Sequence, residues 1–105
     1  MSNDLRILLV EDNLVVVDSV LRLLSKLGYN KVESVTDYNA AVQILSQKKI
    51  HLLLIDIFLS GTETGIELGG YIRKNRNIPF IFITANSDKA TVAKAKEVTP
   101  NGYLV

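Results

Sequence analysis

The sequence predicts a single α/β domain, a doubly wound parallel sheet of five strands with helices on both faces. Short apolar runs alternate with longer segments of helical period along the whole chain, which is the pattern of strands joined by crossover helices. The run L-L-L-I before Asp56 is apolar without interruption, as expected of a strand covered on both faces. At 105 residues the chain is long enough for one core and too short to divide into two.

Leu5 to Val10 reads as the first strand. Leu14 to Leu27 follows with apolar residues at Val16, Val17, Val20, Leu23, Leu24 and Leu27, and with Asp18, Arg22, Ser25 and Lys26 opposite them, so a helix with one buried side is expected. Gly28 ends it. A weaker strand, Val32 to Val35, precedes a helix that Asp37 caps and that buries Ala41, Ile44 and Leu45. The third strand is Leu52 to Asp56. After the loop F-L-S-G-T-E-T-G comes a helix from about Ile66 to Lys74. Gly69 and Gly70 lie inside it at a cost of roughly 1 kcal/mol each relative to Ala, which predicts the least stable of the helices. Pro79 opens the fourth strand, P-F-I-F-I-T; Ser87 caps a helix from Asp88 to Val98; and T-P-N-G turns into Tyr103, Leu104 and Val105, the start of a fifth strand.

Twelve Lys and Arg against eleven Asp and Glu leave a formal charge of +1, with no basic cluster able to neutralise several phosphates, so direct nucleic-acid binding is not expected. With no Cys, disulfides, thiolate zinc sites and cysteine nucleophiles are excluded. His51 is the only histidine and has no second imidazole to share a metal with. No apolar stretch approaches the ~20 residues that span a bilayer, and a cytoplasmic protein without membrane contact is expected.

Carboxylates follow two of the strands. Glu11 and Asp12 come directly after the first, and Asp56 ends the third. In a sheet of order 2-1-3-4-5 the strand order reverses between strands one and three, and ligands of open α/β sheets bind there, beyond the carboxyl ends of the strands. Thr84, at the end of strand four, would border the same crevice. By themselves Glu11 and Asp12 could serve only to complement a helix dipole, and Asp56 could be a structural cap. Together, three carboxylates within a few Å repel by roughly 1 to 4 kcal/mol per pair, a penalty that a hard divalent cation removes. An all-oxygen donor set with open positions suits Mg²⁺, and an Asp beside Mg²⁺ can act as nucleophile toward a phosphoryl group.

The segments I-L-L-V-E-D-N, L-L-L-I-D-I, I-P-F-I-F-I-T-A and G-Y-L-V resemble, over essentially the whole chain, the receiver domain of two-component response regulators. The resemblance implies a flavodoxin-like fold, a cytoplasmic signalling module that is not an enzyme, and Mg²⁺ as cofactor. It also implies roles for residues: Asp56 as the acceptor of phosphate from a histidine kinase or phosphotransfer protein, Glu11, Asp12 and Asp56 around the metal with the backbone carbonyl of Phe58 as a further ligand, Thr84 as the hydroxyl that turns toward the phosphoryl group, and Tyr103 as the aromatic whose position follows it.

Three departures from the family pattern stand out. The family's phosphate-binding Lys would follow Val105, and the final helix is missing, so the sequence is read as a domain truncated at its C-terminal end, with room for an output domain outside this chain and for a homodimer formed through the uncovered face. Ser60 stands where the family often has Pro, and Gly65 comes one residue later than the common spacing. Phe58, bulky beside the acceptor, is expected to hinder attacking water. Rival functions are weaker. A Mg²⁺-dependent phosphotransferase or phosphatase commonly carries a second acid two residues after its nucleophile, where this chain has Phe58. A nucleotide site would need a glycine-rich turn where this chain has E-D-N. A receiver-like module that binds partners without phosphorylation would not need this set of acids.

Overall fold

In the computed structural model, which describes residues 4–59, 64–83, 93–94, 96–97 and 100–104, strands and helices alternate as β1 (Arg6–Val10), α1 (Leu14–Lys26), β2 (Lys31–Val35), α2 (Tyr38–Gln47), β3 (Leu52–Asp56), α3 (Gly65–Asn75), β4 (Phe80–Ile83) and β5 (Gly102–Leu104). All pairings are parallel, and the order across the sheet is β2-β1-β3-β4-β5. The helix expected from Asp88 to Val98 falls largely outside the described residues; Ala93, Lys94, Lys96 and Glu97 within it are helical. Thr84, Ser87 and Val105 also lie outside them.

The alternating side chains of each strand feed two apolar layers. On one face Leu8, Val10, Leu53, Ile55, Phe80 and Phe82 pack with Ala41 and Leu45 of α2 and Leu68 and Ile72 of α3. On the other, Ile7, Leu9 and Leu54 meet Val17, Val20 and Leu24 of α1. β1 and β3 are thus covered from both sides, which is why their sequences are apolar without alternation.

The local signals explain the ends of the helices. Asp37 caps α2 by accepting from the Ala40 N–H at 2.8 Å. Gly28, at φ 94°, lets the chain leave α1 through a pair of bonds, Tyr29 N–H to the Leu24 carbonyl at 2.9 Å and Gly28 N–H to that of Ser25 at 3.0 Å. This 6→1 and 5→2 pattern is the Schellman motif, and its positive φ is the conformation glycine adopts without strain.

One expectation is corrected and another is extended. The side of α1 that was to be buried is only partly so: no α1 residue is fully buried, and Leu23 and Leu27 are 58% and 59% exposed. The sheet contact is made by Val17, Val20 and Leu24, and Leu23 and Leu27 stay more than half exposed. Gly69 is also more than a cost to α3. A Cβ there would sit 2.8 Å from Phe82 Cζ and 2.9 Å from Phe80 Cε2, so the missing side chain lets the helix lie directly on the β4 rings. From the same helix Arg73 stacks 4.9 Å above Phe80 and donates to Asn101 Oδ1 at 2.8 Å, tying α3 to the start of β5.

Candidate functional site

The register brings the carboxyl ends of β1 and β3 together. Val10 lies opposite Val35 on one side and Ile55 on the other, so Glu11, Asp12 and Asp56 emerge at the same edge of the sheet. Each offers a carboxylate oxygen, and these oxygens lie within 4.8 Å of one another. Glu11 is the one charged residue among the buried side chains of the described residues, 4% exposed, while Asp12 and Asp56 are half-buried.

Backbone donors fix the acids. Glu11 donates its own N–H to the Val35 carbonyl at 3.0 Å, which extends the β1–β2 ladder by one residue. Its Oε2 accepts the Asn13 N–H at 3.1 Å. Asp56 Oδ1 accepts the Phe58 N–H at 3.1 Å. The Gly65 N–H meets the Ile57 carbonyl at 2.9 Å, which brings the start of α3 against the chain that leaves Asp56.

Both inner carboxyls are held above their ordinary range. For Glu11, burial pushes the group from 4.5 up to about 7; the Asn13 N–H opposes this, and the Asp56 carboxylate beside it reinforces it. Burial also raises Asp56, with the hydrogen bonds from Glu11 and the Phe58 N–H opposing and the charge of Asp12 adding to the rise. Burial and the neighbouring acids thus favour a protonated form of this pair over two bare carboxylates. An anion pair that prefers to hold a proton in this way is short of positive charge.

The other residues singled out in the sequence fall as follows. Phe58 lies beside Asp56 with 51% of its surface exposed, at the rim of the site. Tyr103 is the middle residue of β5, paired in register with Phe82. Thr84 lies outside the described residues, directly after the β4 residue Ile83 that pairs with Asp56. Three contributors escaped the sequence reading. Asn13 caps α1 and bonds Glu11. Thr64 and Glu67 form a reciprocal capping box at the start of α3, with bonds of 2.9 and 3.2 Å. The pattern T-x-x-E was the signal for that box. Gly65 was noticed for its spacing, whereas its close approach to Asp56 has no sequence signature.

An open parallel sheet of this order, with three acids gathered beyond β1 and β3, defines a receiver-type α/β domain. The chain belongs to the response regulator receiver domain family, whose model matches residues 7–105. It is 29% identical over 98 residues to the transcriptional regulatory protein YvrH of Bacillus subtilis (strain 168), a match covering 93% of this chain and 41% of that protein. It is 34% identical over 97 residues to the uncharacterized transcriptional regulatory protein YrkP of the same organism, covering 92% and 40%. The signal receiver domain of a modulated diguanylate cyclase from Desulfovibrio desulfuricans G20 has the same fold, with a TM-score of 0.87 at 33% identity over 96% of this chain and 81% of that one. The chain thus spans about two fifths of the length of these two curated relatives. Among the described residues, no helix is long and apolar enough to cross a membrane.

Proposed function

We propose that this domain is a phosphorylation-operated switch: Asp56 takes a phosphoryl group from a phosphohistidine on a histidine kinase or phosphotransfer protein, and the domain changes its protein contacts in response. The observation that carries this reading is the convergence of Glu11, Asp12 and Asp56 within 4.8 Å at the β1–β3 edge. In the transfer, a carboxylate oxygen of Asp56 attacks phosphorus, the P–N bond breaks, and its electron pair returns to the donor imidazole, leaving an acyl phosphate.

The donor set fits Mg²⁺. The candidate side-chain ligands all offer oxygens, they are buried or part-buried, and the raised Glu11 and Asp56 carboxyls favour a partner of positive charge. In this reading Asp12 and Asp56 would be direct ligands, Glu11 would support the ion, and the Phe58 carbonyl would add a ligand. Such an ion would supply charge neutralisation between the entering phosphoryl oxygens and the acids. The Asn13 N–H holds the Glu11 carboxylate and the Phe58 N–H holds that of Asp56. Thr84 and Tyr103 take the sensing and relay roles that the family resemblance gives them.

A protein donor is favoured by the rim. Leu14, Val15 and Phe58 are 74%, 75% and 51% exposed, and each lies within three residues of Asp12 or Asp56 in the chain. Large apolar side chains held in water around an anionic site suit contact with another protein surface. The output is a change in contacts with further protein, covalently attached or separate, in a cytoplasmic setting.

The test is to incubate the domain with a small acyl phosphate and Mg²⁺ and follow intact mass. Addition of one phosphoryl group to the wild type and none to Asp56→Asn is expected. Equal addition to both proteins would place the acceptor at another residue, and addition to neither would leave the non-phosphorylated binding module as the reading.

A further inference from the structure

We infer that Asn13 is a positioning residue for the metal site, coupling the capping of α1 to the geometry of the Glu11 carboxylate. The inference rests on the reading of Glu11, Asp12 and Asp56 as the residues around a divalent cation. Asn13 acts at both of its ends. Its side-chain Oδ1 accepts the N–H of Val15 at 3.0 Å and that of Val16 at 3.4 Å, and its carbonyl takes the first helical bond, from the Val17 N–H at 3.0 Å. These three bonds hold the residue at φ −86°, ψ 110°, the extended conformation of an N-cap.

The main-chain N–H of the same residue points back to Glu11 Oε2 at 3.1 Å. Rotation about φ and ψ at residue 13 swings that N–H relative to α1, so the cap that locks these angles also aims the donor. Glu11 depends on it. Its side chain is 4% exposed, water has little access to it, and the Asn13 N–H is the backbone donor on its carboxylate. A carboxylate released from this bond turns within the site and no longer presents the same oxygen toward Asp12 and Asp56. Outer partners that orient acidic groups around a metal commonly contribute 10- to 100-fold to affinity.

Substitution separates this role from others, because every residue except proline keeps a main-chain N–H at position 13. Asn13→Ala retains the donor to Glu11 and loses only the cap, whereas Asn13→Ser retains a cap of comparable strength. Mg²⁺ titration by calorimetry, together with hydrogen exchange of the residue 13 amide in metal-free protein, reads both ends of the coupling. The expected result is Mg²⁺ affinity about tenfold weaker in Asn13→Ala, with faster exchange at amide 13, and wild-type behaviour in Asn13→Ser. Wild-type affinity in Asn13→Ala, or an equal loss in Asn13→Ser, would overturn the inference while leaving the metal site standing. A wild-type protein that does not bind Mg²⁺ would overturn the metal reading, and the inference with it.

Discussion

Gly65 lies so close to Asp56 that a Cβ built on it would sit 1.9 Å from the Asp56 carbonyl oxygen and 2.8 Å from its carbonyl carbon. The first residue of α3 therefore rests on the backbone of the proposed acceptor. Since the obstacle is main chain, a substituent cannot be relieved by a rotamer change. Gly65→Ala is expected to cost about 3 kcal/mol in urea unfolding and to slow phosphorylation of Asp56 by moving its carboxylate. Wild-type stability in that variant would show that the approach is looser than this geometry.

The acids set a pH dependence with a definite sign. Glu11 in the folded state holds its proton up to about pH 7, against 4.5 ordinarily, and Asp56 is raised as well. The folded state then binds more protons than the unfolded chain between those values, so in metal-free buffer these groups make stability fall as pH rises from about 4.5 to about 7. Glu11→Gln, which cannot ionise, is expected to be more stable than wild type at pH 8 without metal and to lose most of this slope. Thermal melts of both proteins across that range check it; parallel curves would count against a strained Glu11.

Gly69 distinguishes helix propensity from packing. In an exposed helix, replacing Gly by Ala stabilises by about 1 kcal/mol. Here the added methyl would press on Phe80 and Phe82 at under 3 Å, and overpacking of this kind costs about 1 to 3 kcal/mol. Chemical denaturation of Gly69→Ala is expected to show net destabilisation.

Phe58 is expected to lengthen the phosphorylated state. Its N–H holds Asp56 Oδ1 at 3.1 Å and its side chain is half-exposed two residues from the acceptor, where it would narrow the approach of water to an acyl phosphate. Hydrolysis of phosphorylated Phe58→Ala, followed by intact mass over time, is expected to run several-fold faster than in wild type. An unchanged or slower rate would remove the ring from that role.

Much of the fold was legible because strands buried on both faces must be apolar throughout and helices must carry a stripe. The β3 bounds, the Asp37 cap and the Gly28 exit all follow from such local rules. The meeting of Glu11 and Asp12 with Asp56 was legible because a parallel register aligns strand ends. What escaped depends on contacts between elements. Gly69 reads as a helix breaker until Phe80 and Phe82 lie beneath it. Leu23 and Leu27 read as core because periodicity reports which residues share a side and not whether another element covers it. Asn13 was passed over because, in E-D-N, the acids drew the reading and the cap carries no charge.

The most direct measurement is to locate the phosphoryl group. An acyl phosphate on aspartate is reduced by borohydride to homoserine, which peptide mass mapping detects at a single position. After treatment with a small acyl phosphate, homoserine is expected at position 56, and only when Mg²⁺ is present during the reaction. Homoserine at position 12 instead, or equal labelling of Asp56 when Mg²⁺ is chelated, would contradict a phosphoacceptor readied by an ion shared with Glu11 and Asp12.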